Sequence, residues 1–251
     1  MRIAIKFAYN GANFFGYARQ PYLKTVEGEL IKTLEKLEII QDPKTSFFRP
    51  ASRTDKGVSA LGNVVAFNSE TSKDHIINSL SEEFSSIIVY GVKEVDLDFN
   101  PRYAEFRNYR YYLSITNLDV EKIVSALNSF TGKHDFSNFA KLEPHRDSIR
   151  TIDNIIFTQE NDFLIIDFFA QNFLWHQIRR IISALIKVGK GKITQEQIIN
   201  ALENPNQRID FGLALAEPLI LKDVVYNFDF EYDTMQLKKL KQLEKKIISF
   251  L

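Results

Sequence analysis

Strand-like and helix-like patterns follow one another in the same order twice along this chain. Residues 2 to 9 alternate as a strand does, and Thr25 to Leu37 repeats apolar side chains along one helical face. Short strand-like stretches follow near 46 to 51 and 62 to 68, then a helix over roughly 73 to 84 and a β-rich stretch at Ser86 to Val92. The N-terminal part of the chain therefore predicts a β-α-β-β-α-β order.

After Pro101 the same order is predicted again. A β-hairpin is expected where two apolar stretches flank the polar residues 159 to 162. The predicted elements are a strand at Tyr109 to Ile115, a helix at Val120 to Phe130, hairpin arms at Ile152 to Thr158 and Phe163 to Ala170, helices at Phe173 to Val188 and Thr194 to Leu202, and a strand at Leu219 to Phe228.

The repeated order predicts an α+β fold of two ferredoxin-like halves, each a split β-α-β unit. We place the halves at residues 1–100 and 101–251. If their sheets join edge to edge, they form one extended, mostly antiparallel sheet with helices on one face and a central cleft. The last element, Met235 to Leu251, predicts an amphipathic helix whose lysines face solvent; a dimer contact is the alternative. The fold alone does not name a function.

Composition excludes several kinds of site. The chain has no cysteine, and therefore no disulfide, no thiolate nucleophile and no cysteine-based zinc site. Its histidines, His75, His134, His145 and His176, do not stand at the helical spacing that would bring two of them to one metal, so we expect no metal. No apolar run reaches the ~18 to 20 residues of a membrane span, and the N-terminus has a strand pattern rather than that of a leader. We expect a cytoplasmic protein.

Global charge gives no support for nucleic-acid binding, because 32 basic residues balance 32 acidic ones. Local sequence is less even. Arg102, Arg107 and Arg110 alternate with aromatic residues between 103 and 112, and several basic residues follow Trp175. Arginine next to aromatic side chains suits phosphate contact and base stacking. The alternative is that the aromatic residues form strand core and the arginines line a solvated face.

The densest polar cluster in apolar surroundings is Arg53-Thr54-Asp55-Lys56-Gly57, between two predicted strands. Asp followed two residues later by Gly is also typical of an ordinary turn, because the Asp side chain bonds nearby backbone and Gly supplies positive φ. Spacing alone does not distinguish an active-site loop from a turn.

The stretch from Ala51 to Ala60 resembles the R-T-D-x-G-V-H-A signature of the tRNA pseudouridine synthase A family. Further segments resemble motifs of that family in its own order along nearly the whole chain. These segments are Tyr9-Asn10-Gly11 with Phe14-Phe15-Gly16-Tyr17, Phe99-Asn100-Pro101-Arg102-Tyr103, Arg107-Asn108-Tyr109-Arg110-Tyr111, residues 134 to 139, Asn172 to Arg179, and Ala216-Glu217-Pro218-Leu219.

The resemblance implies an enzyme that converts uridine to pseudouridine in the anticodon stem-loop of tRNA, with Asp55 as the catalytic aspartate. The N1–C1′ bond of the nucleoside must break and C5 must bond to C1′. A carboxylate can capture the electron-deficient sugar carbon, as in a retaining glycosidase, or it can attack C6 of the ring. The residues leave both routes open.

Further roles follow from the resemblance. Tyr109 takes the position of a tyrosine that stacks on the flipped base and assists proton transfer, with a core aromatic as the alternative. Arg179 takes the position of an arginine that pairs with the catalytic carboxylate. Arg53 is expected to fill the place of the flipped base or to grip phosphate. Weaker candidates for RNA contacts are Arg102, Arg110 and Arg150.

The resemblance also implies a homodimer that binds tRNA in the central cleft and needs no cofactor. The chain departs from the family pattern at Asn10, Tyr17, Ser59 and Asn63, where aspartate, tryptophan, histidine and glutamine are usual. We expect these departures to lie near RNA-facing loops and to affect the choice of target position rather than the reaction. Two other functions remain open: an RNA-binding module without chemistry, and a hydrolase of N-glycosidic bonds that would release free uracil.

Overall fold

A computed structural model describes residues 1–142 and 147–250. They form two compact units, Met1–Glu105 with Ile220–Leu251 and Phe106–Leu219. The predicted α+β class with mostly antiparallel strand pairing is confirmed. By packing, the C-terminal segment lies with the first unit, whereas the assignment of functional halves to residues 1–100 and 101–251 stays a prediction.

The first unit begins with the predicted β-α-β-β-α-β order. Its elements are β1 (Arg2–Tyr9), α1 (Val26–Lys36), β2 (Arg49–Pro50), β3 (Ser59–Asn68), α2 (Lys73–Glu83) and β4 (Ile87–Val95). The strands lie in the order β4-β1-β3-β2, and every neighbouring pair is antiparallel. This order is that of a ferredoxin-like split β-α-β unit.

Apolar periodicity and capping explain these elements. Every residue of β1 is buried, as expected of a strand at the centre of a sheet. The buried face of α1 is formed by Val26, Leu30, Ile31 and Leu34. The Thr25 side chain accepts a hydrogen bond from the Gly28 N–H and so caps the first turn of that helix. The strand and helix patterns therefore bury one common core.

The second unit has more elements than the sequence predicts. They are β5 (Phe106–Ser114), α3 (Val120–Leu127), β6 (Gly132–Asp135), β7 (Ile149–Ile152), β8 (Asn154–Glu160), β9 (Phe163–Ala170), α4 (Gln177–Gly189) and α5 (Gln195–Glu203). Within this unit β9 lies between β5 and β8, and both pairings are antiparallel. The predicted hairpin is thus present as β8 and β9. The separate β6–β7 pair was not predicted, because strands of four residues are too short to show a period.

Several predicted elements are shorter than expected: the helix predicted to Phe130 ends at Leu127 and the strand predicted to Phe228 ends at Val225. In two other elements, residues with left-handed backbone account for a later start. The helix predicted from Phe173 begins only at Gln177, because His176 has φ of 65°. A left-handed residue cannot continue a right-handed helix. The strand predicted over 46 to 51 is reduced to β2, and Phe47 has φ of 48°.

Three C-terminal elements complete the first unit: β10 (Leu219–Val225), β11 (Glu231–Tyr232) and α6 (Thr234–Ile248). β10 pairs in parallel with the start of β3, with Ile220 opposite Ser59, and β11 pairs with β4. α6 packs against β3 and β4 and buries Ile247, while lysines such as Lys238 and Lys241 are exposed. The predicted arrangement, a docked helix with a solvated lysine face, is confirmed.

Candidate active site

Asp55 starts a type II turn at the N-terminal side of β3. Its carbonyl oxygen accepts a hydrogen bond from the Val58 N–H at 3.2 Å, and Gly57 has φ of 88°. Positive φ at the third residue, but not at Lys56, defines this turn type and explains the glycine. The Asp55 side chain is half-buried, next to the exposed Arg53 and Lys56. The turn therefore holds one half-buried carboxylate that is flanked in sequence by two exposed basic residues.

Two glycines on the segment after β1 lie against this turn. A Cβ on Gly11 would lie 2.4 Å from the Val58 carbonyl oxygen, and Gly11 N–H donates to the Ser59 hydroxyl at 2.9 Å. Gly16 has φ of 93°, and a Cβ there would lie 3.3 Å from Lys56 N. Main chain thus packs directly on main chain at the Asp55 turn. At position 11 only glycine leaves room for this contact.

An exposed aromatic ring lies beside the turn. Lys56 Nζ is 4.6 Å from the centroid of the Phe15 ring, and Phe15 is 46% exposed. A cation over an aromatic face is a favourable contact even at an exposed site. The exposed Phe15 ring with Lys56 suits base stacking and phosphate contact near Asp55, and Arg53 is a second exposed basic residue close in sequence.

Tyr109 lies on β5 in the second unit and is buried, with 9% of its surface exposed. Its ring makes an edge-to-face contact with Phe173, with centroids 5.3 Å apart. Aromatic pairs favour this geometry, which fixes the plane of the Tyr109 ring. The tyrosine is held rigidly, as stacking on a base would require and as a core aromatic would also show.

Arg179 lies on the first turns of α4 in the second unit. Its Nε donates to the Ala214 carbonyl at 2.9 Å, and the Ala214 N–H donates to the Arg179 carbonyl at 3.1 Å. Tyr111 donates to the neighbouring Leu215 carbonyl at 3.2 Å. The segment around Ala214 is therefore bonded to both α4 and β5, and it orients the guanidinium.

The remaining arginine candidates differ in their surroundings. Arg102 is exposed. Arg110 forms a bidentate pair with Asp167, with Nε and Nη2 contacts of 3.0 and 2.8 Å, and hydrogen bonds to that carboxylate raise the pKa of Arg110. Arg150 is half-buried and donates to the carbonyls of Asp147 and Ile149. The structure thus gives Arg102 a solvent-facing position and gives Arg110 and Arg150 partners within the second unit.

Side chains at the departures from the family pattern have structural roles. Tyr17, Ser59 and Asn63 are buried rather than displayed on a loop. Asn63 Nδ2 donates to the Ser52 carbonyl at 3.0 Å, so it ties β3 to the segment before Asp55. Asn10 caps the short helical turn after β1 by accepting from Ala12 N–H. Direct contact of these buried side chains with RNA is therefore not expected.

No group of three or more potential metal ligands occurs within residues 1–142 and 147–250. His145, one of the histidines considered above, lies outside the described residues. None of the helices in the described part of the chain has the length and apolar character of a membrane span.

Sequence comparison identifies relatives over nearly the whole chain. A family model described as tRNA pseudouridine synthase matches residues 126–227. The chain is 43% identical over 248 residues to tRNA pseudouridine synthase A of Thermococcus sibiricus, with 96% of this chain and 91% of the relative covered. The protein of that name from Pyrococcus abyssi is 41% identical over 245 residues, with 96% and 91% covered. That from Methanobrevibacter smithii is 37% identical over 263 residues, with 96% and 89% covered.

Among solved structures, an H/ACA ribonucleoprotein bound to a substrate RNA containing 2′-deoxyuridine matches with a TM-score of 0.36 and 13% identity, over 73% of this chain and 44% of that chain. A similarity this weak carries no argument. The sequence relatives do establish the family, because their identity extends across both units described above. The chain therefore belongs to the tRNA pseudouridine synthase A family and is an isomerase.

Proposed function

We propose that this chain converts uridine to pseudouridine in the anticodon stem-loop of tRNA, with Asp55 as nucleophile and with the target base flipped out of its stack. Family membership supports tRNA as the substrate. The observation that carries the residue assignment is the turn at Asp55, where glycine-backed backbone holds a half-buried carboxylate next to the exposed Arg53 and Lys56.

The reaction needs a nucleophile that lies beside the sugar or the base and is regenerated at the end. In one route the Asp55 carboxylate bonds to C1′ as the N1–C1′ bond breaks and its electrons pass to the uracil ring. The uracil turns, C5 displaces the carboxylate from C1′, the C5 proton is lost, and N1 takes up a proton. In the other route Asp55 adds to C6, the N1–C1′ bond breaks, and the base turns while it is bonded to Asp55. C5 then bonds to C1′, N1 takes up a proton, and the carboxylate leaves C6 as the C5 proton is lost. Neither route consumes a cofactor.

Other residues support this chemistry in the proposal. Tyr109 stacks on the flipped base and assists removal of the C5 proton, for which its rigid edge-to-face contact with Phe173 is suitable. Arg179 stabilises the catalytic carboxylate, and its anchoring to Ala214 limits the positions of the guanidinium. Arg53 acts on RNA, by filling the vacated base position or by gripping phosphate. Arg102, Arg110 and Arg150 contact the RNA backbone.

A tritium-release assay tests the central claim. Purified protein should release tritium from tRNA that carries 5-tritiated uridine without an added cofactor, because C5 loses its hydrogen when it bonds to C1′. Asp55→Asn and Asp55→Ala should abolish release. Asp229→Asn is the matched control, since Asp229 is an exposed carboxylate between β10 and β11 and should keep activity.

The assay also separates the other functions. Binding of tRNA without tritium release would indicate an RNA-binding module, and release of free uracil would indicate an N-glycosidic hydrolase. Mapping pseudouridine in tRNA from cells with and without the protein locates the target, and unchanged anticodon stem-loops would contradict that part of the proposal. We also propose that the chain works in the cytoplasm as a homodimer.

A further inference from the structure

Tyr9 is the last residue of β1 and is fully buried, although it carries a hydroxyl. That hydroxyl lies 2.8 Å from Oγ1 of Thr54, the residue immediately before Asp55. A buried hydroxyl is costly unless it forms a hydrogen bond, so the bond to Thr54 accounts for a polar atom in this core position. It links the central strand of the first unit to the candidate catalytic turn.

The main chain of Thr54 is held as well. Its carbonyl accepts a hydrogen bond from the Tyr17 N–H at 3.1 Å. Thr54 is itself buried, whereas Asp55 is half-buried. The peptide just before the aspartate is therefore fixed through a side-chain bond to Tyr9 and a main-chain bond to Tyr17. The close backbone contact at Gly11 supports the other end of the same turn.

Tyr17 provides a natural contrast to Tyr9. It is also fully buried, and its ring centroid lies 6.5 Å from that of Tyr9. Its hydroxyl has no hydrogen-bond partner among residues 1–142 and 147–250. Burial raises the pKa of Tyr17 well above its ordinary value, which keeps the hydroxyl neutral. Within residues 1–142 and 147–250, the Tyr9 hydroxyl is thus bonded to the residue before Asp55, whereas the Tyr17 hydroxyl has no partner.

We propose that Tyr9 is a positioning residue for Asp55, acting through the Thr54 hydroxyl. The inference rests on the proposed function, in which Asp55 is the nucleophile. A nucleophile must lie within a few tenths of an ångström of its productive position, and a misplacement of ~1 Å costs roughly 100-fold in rate. Loss of the Tyr9–Thr54 bond removes one of the two hydrogen bonds that hold the peptide before Asp55, and it changes only buried side chains.

The experiment compares Tyr9→Phe, Thr54→Val, Thr54→Ser and the control Tyr17→Phe in the tritium-release assay. We expect kcat to fall about 10- to 100-fold in Tyr9→Phe and Thr54→Val. KM for tRNA should not change, because the interaction affects the chemical step. Thr54→Ser keeps the hydroxyl and should keep kcat, and Tyr17→Phe should match the wild type. The double variant Tyr9→Phe/Thr54→Val should be no slower than the slower single variant, because both substitutions remove the same hydrogen bond.

All rates are measured well below the midpoint of thermal unfolding of each variant. Wild-type kcat in Tyr9→Phe, or an equal loss in Tyr17→Phe, would overturn the positioning role and leave only packing. The Asp55→Ala variant separates this inference from the proposed function. If Asp55→Ala still releases tritium, the nucleophile assignment is wrong and the positioning role is lost with it. If Asp55→Ala is inactive while Tyr9→Phe is fully active, only the role of Tyr9 is wrong.

Discussion

Tyr111 is two residues beyond Tyr109 on β5 and carries a hydroxyl that donates to the Leu215 carbonyl. Burial raises the pKa of Tyr111 to about 12, with Arg179 lowering it and Glu217 raising it. The folded-state pKa is therefore above the ordinary value of 10.0 that applies in the unfolded chain. The stability that this group contributes is complete below pH ~10 and is lost as pH rises through ~12.

This linkage predicts a shallower alkaline loss of stability in Tyr111→Phe than in the wild type. As pH rises toward ~12, the wild type should lose about 2 kcal/mol more of its free energy of unfolding than Tyr111→Phe does. Urea unfolding between pH ~9 and ~12 measures it. Tyr22→Phe is the control, because Tyr22 is fully exposed and its loss should leave the slope unchanged. Identical slopes for Tyr111→Phe and wild type would contradict the assignment.

At the scale of elements, the register of β5 and β9 places Arg110 directly opposite Asp167. Their ion pair is bidentate, and the side chains are only 28% and 12% exposed. We expect each single alanine variant to lower stability and the double-mutant cycle to give a coupling of about 1 to 3 kcal/mol. Chemical denaturation of the four proteins measures this coupling. A coupling near zero would show that the pair is solvated.

The same variants test the proposed RNA contact of Arg110. Both Arg110→Ala and Asp167→Ala break the ion pair, but only Arg110→Ala removes the cation that is proposed to contact tRNA. A larger increase in KM for tRNA in Arg110→Ala would support a phosphate contact. Equal KM values in the two variants would remove Arg110 from the RNA-binding candidates.

The element order followed from the sequence because long, periodic segments such as β1 and α1 bury one face each. Boundaries were less predictable where single residues adopt left-handed backbone, as His176 does before α4. The Asp55 turn was predictable from its motif. The hydrogen bond between Tyr9 and Thr54 was not, although both residues belong to matched motifs, because their separation of 45 positions leaves no periodic signal.

At the scale of the whole molecule, the resemblance predicts a homodimer with one tRNA in contact with both protomers. Sedimentation velocity over a range of protein concentrations should show a dimer, and mass action should favour it at higher concentration. A monomer at every concentration would contradict the dimer and leave the proposed reaction untouched. The balanced charge of 32 basic and 32 acidic residues means that tRNA affinity should depend on a few local cations.

The parallel pairing of β10 with the start of β3 has a consequence for synthesis of the protein. Ile220 lies opposite Ser59, four residues beyond Asp55, so the strand that follows the Asp55 turn gains this neighbour only when the C-terminal part of the chain has been translated. During synthesis on the ribosome, β3 emerges long before β10, so its sheet is completed only late in translation. A polypeptide truncated before β10 leaves the start of β3, next to the proposed nucleophile, without this strand partner, so the β3 edge beside Asp55 is completed only after residue 220 has been translated.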